Sequence, residues 1–220
     1  MREFTRVSFA GIVFGLVGGI TTAQVDPAAA PAAEPPSRAI PENYVTAGAL
    51  HRVVAKQGDA LIGALRAAGA VAQEIDYGSF ALLLVDAAPL GGIGGLQATG
   101  ADLRDEWALI ELNGFLLDTA DRAALAATLA TVPPALTQPE EVAGVLPSLR
   151  IVQFVGPIRD EWLDALRGTG ARPVIYVPNN AYVVSVEPAS NSRLAAFATE
   201  RFVQWTGPYH PAFRIRPDLR

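Results

Sequence analysis

The chain has 220 residues, 22 acidic against 17 basic side chains, a net charge of −5, an apolar fraction of 50% and no cysteine. Such a length allows one or two domains, and the acidic balance argues against a nucleic-acid surface. Without cysteine there is no disulfide framework, so stability has to come from apolar cores.

In chain order, "MREFTR", the apolar run "VSFAGIVFGLVGGI" and the small residues of "TTAQ" follow the tripartite plan of a secretory signal peptide, with cleavage expected after Ala23. A membrane anchor is the alternative. The run from Val7 to Ile20 is 14 residues, short of the roughly 20 that a spanning helix needs. A secreted or periplasmic protein with no membrane attachment after cleavage is therefore expected. Residues 24–43 are rich in Ala and Pro and read as a linker that buries too little to order itself.

Two copies of one unit follow. Sliding "DALIGALRAAGAVAQEIDYGSFALLLVD" by 101 positions lays Asp59 on Asp160, Leu65 on Leu166, Gly69 on Gly170 and Val85 on Val186. The second copy is the clearer one. "LRIVQFV" predicts a strand, with Pro157 expected in the first turn of the helix that follows. Ile158, Trp162 and Leu166 recur at steps of four and give that helix an apolar face. "RPVIYV" and "AYVVSVE" predict two strands joined at "PNN", the latter half-buried, with Tyr182, Val184 and Val186 on one face and Val183, Ser185 and Glu187 on the other. A helix capped by Ser190 or Asn191 and the strand "RFVQWTG" complete the unit.

The order βαββαβ is that of the ferredoxin-like split βαβ. In the first copy "LHRVVA", "GDALIGALRAAG", "AVAQEID", "SFALLLVD", a Gly-rich helix and the strand "DLRDEWALIEL" fill the same places. The expected fold class is α+β, with two tandem ferredoxin-like domains at 44–112 and 148–220. Between them, 113–147 holds one helix at about 120–131 and a Pro-rich crossing. The glycines of "APLGGIGGLQATG" each weaken a helix by roughly 1 kcal/mol relative to Ala, which predicts a short or distorted one.

Few constellations carry chemistry. A Ser-His-Asp triad needs a histidine, and only His51 and His210 exist, both expected at the surface. With no cysteine and two distant histidines, no metal site is expected. "LLLVDAAPLGGIGG" satisfies neither G-x-G-x-x-G nor the P-loop ending. Gly91, Gly92, Gly94 and Gly95 are read instead as letting helix and sheet backbones approach. "RDEW" at 104–107 is expected in a strand and at 159–162 on a helix. RNA-binding modules of the same topology display aromatics beside a basic surface, which this acidic chain lacks. Acylphosphatase-like chemistry would need an anion-binding arginine in the first β–α loop. Arg159 is the candidate, with neighbouring acids expected to occupy it.

"IVQFVGPIRDEWLDALRGTGARPVIYVPNNAYVV" and "FVQWTGPYHPAFRI" resemble the N-terminal region of secreted bacterial subtilisin-like serine peptidases. There, inhibitor-type propeptide domains precede the catalytic domain. "DYGSFALLLVD" and "LRDEWALIELNGFLLDT" resemble the preceding copy, so the likeness runs over roughly 45–216. It implies a ferredoxin-like fold that packs its sheet on the peptidase and assists its folding. It also implies a tail after the last strand that enters the active-site cleft as an added strand. The matching residues are Trp205, Gly207, Pro208, Tyr209, His210, Pro211 and Phe213, with Pro208 and Pro211 expected to hold the tail extended. The alternative is that these aromatics pack back on the second unit's own sheet.

The chain reaches Arg220 without the Asp, His and Ser domain of such a peptidase. The expectation is a protein with no catalytic residues and no cofactor. It would act as inhibitor or chaperone on a subtilisin-like serine peptidase in trans or encoded downstream. A non-catalytic remnant of such a peptidase, or an exported interaction scaffold, is the alternative.

Overall fold

Along β1 (Leu50–Lys56), Val53 and Ala55 share a face, and Ala81, Leu83 and Val85 of the antiparallel β3 (Phe80–Asp86) join it. Strand alternation makes that face apolar, and it packs on Ile62 and Leu65 of α1 (Ala60–Ala67) and Leu96 of α2 (Ile93–Ala98). The Asp59 carboxylate starts α1 by accepting from the Leu61 N–H. With β2 (Val71–Asp76) and β4 (Asp102–Leu103) the sheet reads β2-β3-β1-β4, all neighbours antiparallel. The computed structural model describes residues 40–41, 43–139 and 144–219. The expected signal peptide and most of the expected linker thus lie outside the described residues.

Two expectations for this first unit need correction. "DLRDEWALIEL" is not one strand. After β4 the chain turns into a 3₁₀ segment at Asp105–Ala108, so the first "RDEW" is helical rather than extended. Leu109–Leu112 (β5) then leaves the sheet to pair with Phe115–Asp118 (β6). The hairpin loop is Asn113-Gly114, with φ of 43° and 84°, as a tight two-residue turn between right-twisted strands demands. The Gly-rich helix is short, as expected, at 6 residues. Its glycines work differently, however. Gly91 and Gly92 supply φ of 83° and 91° with open space around them, and Gly95 alone makes a close backbone approach, to the Leu90 carbonyl.

Helix α3 (Arg122–Ala130) falls inside the predicted range, capped by the Asp121 carboxylate on the Ala123 and Ala124 N–H groups. The second sheet comprises β7 (Ser148–Phe154), β8 (Arg172–Val177), β9 (Ala181–Val186) and β10 (Val203–Pro208), with α4 (Asp160–Gly168) and α5 (Asn191–Phe197). Its order, β10-β7-β9-β8, repeats that of the first sheet. The fold is α+β. No helix among the described residues is long and apolar enough to cross a membrane.

Leu65 and Leu166 occupy matching buried places on α1 and α4. The first strands do not match at the same offset. Ala55 pairs with Ala81, 26 residues on, whereas Val152 pairs with Tyr182, 30 residues on. The second unit therefore holds four more residues ahead of its first helix. They lie in the loop Val155–Arg159, which docks on the first sheet. Gly156 abuts Leu82, leaving no room for a Cβ, and the Tyr77 hydroxyl donates to the Pro157 carbonyl at 2.7 Å. Pro157 accordingly sits ahead of α4, not in its first turn, and Arg159 is the capping position. Ser190 holds the capping position of α5 but makes no capping bond; its backbone is helical (φ −99°, ψ −8°) rather than extended, and its hydroxyl accepts from Arg193.

β9 is buried on both faces rather than half-buried. Val184 and Val186 pack with Trp162, Leu166, Leu194 and Phe197 on the helix side. Val183 and Ala181 face the hairpin, α3 and Phe213 on the other. The second sheet is thus the middle layer of three.

Candidate functional site

The predicted tail is folded onto the second sheet, with Gly207 and Phe213 buried and Trp205, Pro208, Tyr209, His210 and Pro211 half-buried. Trp205, Gly207 and Pro208 lie within β10, opposite Gln153, Ile151 and Arg150 of β7. The Trp205 indole folds over Gly207 so closely that a Cβ there would meet the ring. The Tyr209 N–H donates to the Leu149 carbonyl, prolonging the ladder. Pro211 opens a 3₁₀ turn, Pro211–Arg214, where the expectation was extended chain. That turn drives Phe213 into the core at 0% exposure, edge-on to Phe115 with centroids 5.1 Å apart. The Asn113 amide donates to the Phe213 carbonyl at 2.5 Å. The aromatics therefore pack back on their own sheet, the alternative that the sequence leaves open.

His210 is half-buried, and its Nδ1 accepts from the Gln138 N–H at 3.0 Å. Burial pushes the imidazole below its usual range, so the native state binds fewer protons than the unfolded chain. This contribution is full above the unfolded value of about 6.5 and is lost as pH falls through the lower folded one. Asp76, held down first by the Gly78 N–H and then by the Gln57 amide, acts with the same sign in a more acidic window. Tm should fall between about pH 7 and about pH 5, and this fall should shrink in His210→Gln; an unchanged slope in the variant would refute the assignment.

A buried polar seam joins the segment before β1, the 3₁₀ turn, the hairpin and the second sheet. Asp105, fully buried, accepts from the N–H groups of Thr46 and Arg52 and lies 2.7 Å from His51 Nδ1. His51 is thus buried on a carboxylate, not at the surface as its isolation suggests. Asp118 accepts from the Tyr44 and Thr46 hydroxyls and from the Ala120 and Asp121 N–H groups. Arg52 donates to the Val155 carbonyl and to Gln204 Oε1, and Gln204 in turn donates to the Thr119 carbonyl. Burial pushes the Arg52 guanidinium down to about 10, against the pull of Asp105, Asp118 and Glu106. It remains charged at neutral pH.

The remaining candidate surface is β8, an outer strand with no partner on its far side among the described residues. Val174, Ile175 and Tyr176 are 59%, 59% and 50% exposed. A register shift between Pro173 and Ile175 bulges Val174 outward, and the hairpin that covers Val183 leaves Ile175, its cross-strand neighbour, open. Edge strands are ordinarily blunted by charge, proline or a bulge, and on β8 Pro173 and the bulge lie towards the Arg172 end of the strand. On β2, the corresponding edge, Glu74 pairs with Arg66 at 2.6 Å. On β8 charge is confined to the end, where Arg172 meets Glu187. A row of unpaired backbone groups flanked by apolar side chains accepts an extended segment.

Arg159 is committed elsewhere. Its guanidinium lies over the Tyr77 ring at 4.6 Å, donates to the Asp76 carbonyl and pairs with Glu161 at 3.4 Å. No cluster of three or more His, Asp or Glu among the described residues could hold a metal ion. A family model, Domain of unknown function (DUF8729), matches residues 111–210, from within β5 to just past β10. No curated protein and no solved structure matches the chain.

Proposed function

We propose that the protein is an exported, non-catalytic binding module of two tandem ferredoxin-like βαββαβ units that pairs β8 with an extended segment of a partner protein. The shared strand order of the two sheets supports the ferredoxin-like reading. The observation that carries the binding role is the run of three exposed apolar side chains on an unpaired edge. Main-chain hydrogen bonds to β8 supply affinity, and Ile175 and Tyr176 supply contact with alternate side chains of the segment. By the resemblance over 45–216, the partner is a subtilisin-like serine peptidase, for which the module serves as inhibitor or folding chaperone. The Trp205–Phe213 segment then contributes from within, by holding the sheet that presents β8.

The test is residual activity of a co-secreted subtilisin-like peptidase incubated with the intact protein at micromolar concentration. The wild type slows the peptidase. Ile175→Lys loses this effect with stability within about 0.5 kcal/mol of the wild type, as for an exposed site. Failure of the intact protein to slow any such peptidase ends the inhibitor reading; equal inhibition by Ile175→Lys moves it off β8.

A further inference from the structure

A cleft of about 480 Å³ opens between the segment leading into β1, the start of α3 and Gln204 of β10, with Arg52 on its wall. Arg52 is 1% exposed, and a buried guanidinium normally meets a carboxylate. Here its hydrogen-bond acceptors are neutral: Nε donates to the Val155 carbonyl at 3.1 Å and Nη2 to Gln204 Oε1 at 2.6 Å. The carboxylates closest in electrostatic effect, Asp105 and Asp118, are engaged by other groups, Asp105 by the Thr46 and Arg52 N–H groups and His51 Nδ1, Asp118 by four donors. Asp121, also on the cleft wall, is taken up by the Ala123 and Ala124 N–H groups.

Nη1 of Arg52 has no hydrogen-bond acceptor among the described residues. Among the described residues, the side-chain atoms sealed from solvent without a partner are Ser148 Oγ and Arg159 Nε. Arg52 Nη1 is not one of them, and the cleft is the space that Arg52 lines. The remaining walls include Ala47, Ala49, Leu50, Leu84 and Ala123, with exposed Arg122 at the rim. We propose that this cleft binds a carboxylate carrying a short aliphatic group, the carboxylate on Arg52 Nη1 and the aliphatic part against the alanines and leucines. A charge-assisted bond to guanidinium is strong where water is excluded, and small apolar walls favour a short tail over a polyanion. A short-chain fatty acid and the C-terminus of a peptide share this chemistry.

Calorimetry on the intact protein with butyrate, butyramide, N-acetyl-dialanine and its C-terminal amide separates the sources. At least one acid should bind, its amide about tenfold weaker or worse, since loss of a charged hydrogen-bond partner has that effect; which acid binds identifies the ligand's source. Ala123→Trp, at an exposed helix position that reaches into the cleft, should abolish binding while leaving the fold intact. Arg52→Gln should do the same, and if that variant does not fold, the Ala123 variant decides. Acids that bind no better than their amides, or undiminished binding by Ala123→Trp, would overturn the proposal.

Discussion

Ending the chain after Thr206 should collapse its stability, whereas ending it after Arg216 should leave Tm nearly unchanged. The longer deletion removes Gly207 and Pro208 from opposite Ile151 and Arg150, and the Tyr209 N–H from the Leu149 carbonyl. It also takes Phe213 out of the cluster formed with Phe115, Leu117 and Val183, and leaves the Asn113 amide without the Phe213 carbonyl. Phe213→Ala alone should cost about 3–5 kcal/mol, a large part of the roughly 5–15 kcal/mol that holds a domain folded. The last turn, Pro217–Leu219, contributes no buried residue, and Leu219 is 72% exposed. Differential scanning calorimetry of the two truncations and of Phe213→Ala decides the matter. A free inhibitory tail gives the opposite pattern, with Tm indifferent to loss of Phe213.

The tail is rich in proline and aromatic residues at once. Pro208 and Pro211 exclude a regular helix, and extension was inferred from that. Yet proline is well placed to open a single helical turn, where its missing N–H is no loss, and Pro211 does so. The burial of Leu65 and Leu166 is legible because both sit on local helical periods that need no knowledge of the rest of the chain. The hairpin carried its own signal: Asn113-Gly114 between "LIEL" and "FLLD" is a strong short-range turn. It was masked by continuing the first unit's fourth strand through Leu112. What β9 packs against was not readable from alternation, because both faces of the second sheet are covered by segments distant in sequence. The polar seam is the same kind of feature. Arg52 and Gln204 meet across 152 positions, and Thr46 and Asp118 across 72, so each reads alone as an ordinary polar residue.

Within that seam, Asp105→Ala should be among the most damaging single substitutions in the protein. The carboxylate is fully buried, and its removal leaves the Thr46 and Arg52 N–H groups without an acceptor and His51 without its partner. Each buried donor left without its acceptor costs about 1–3 kcal/mol, because it keeps its desolvation penalty. Asp105→Asn separates charge from shape. Its amide oxygen can still accept from the Arg52 N–H, while the NH₂ in place of Oδ2 opposes the Thr46 N–H. On the His51 side the imidazole can present a lone pair to that NH₂ by changing tautomer. Asn should therefore recover part of the loss on one side and none on the other. Urea unfolding gives the ordering wild type, Asn, Ala, and amide exchange at Thr46 should rise in both variants, since both leave that donor unpaired. If Asp105→Ala fell within about 0.5 kcal/mol of the wild type, as exposed positions do, the seam would not be holding the 3₁₀ turn against β1. The abrupt end of β4 after two residues would then need another cause than the capture of Asp105 by the donors of the neighbouring strand.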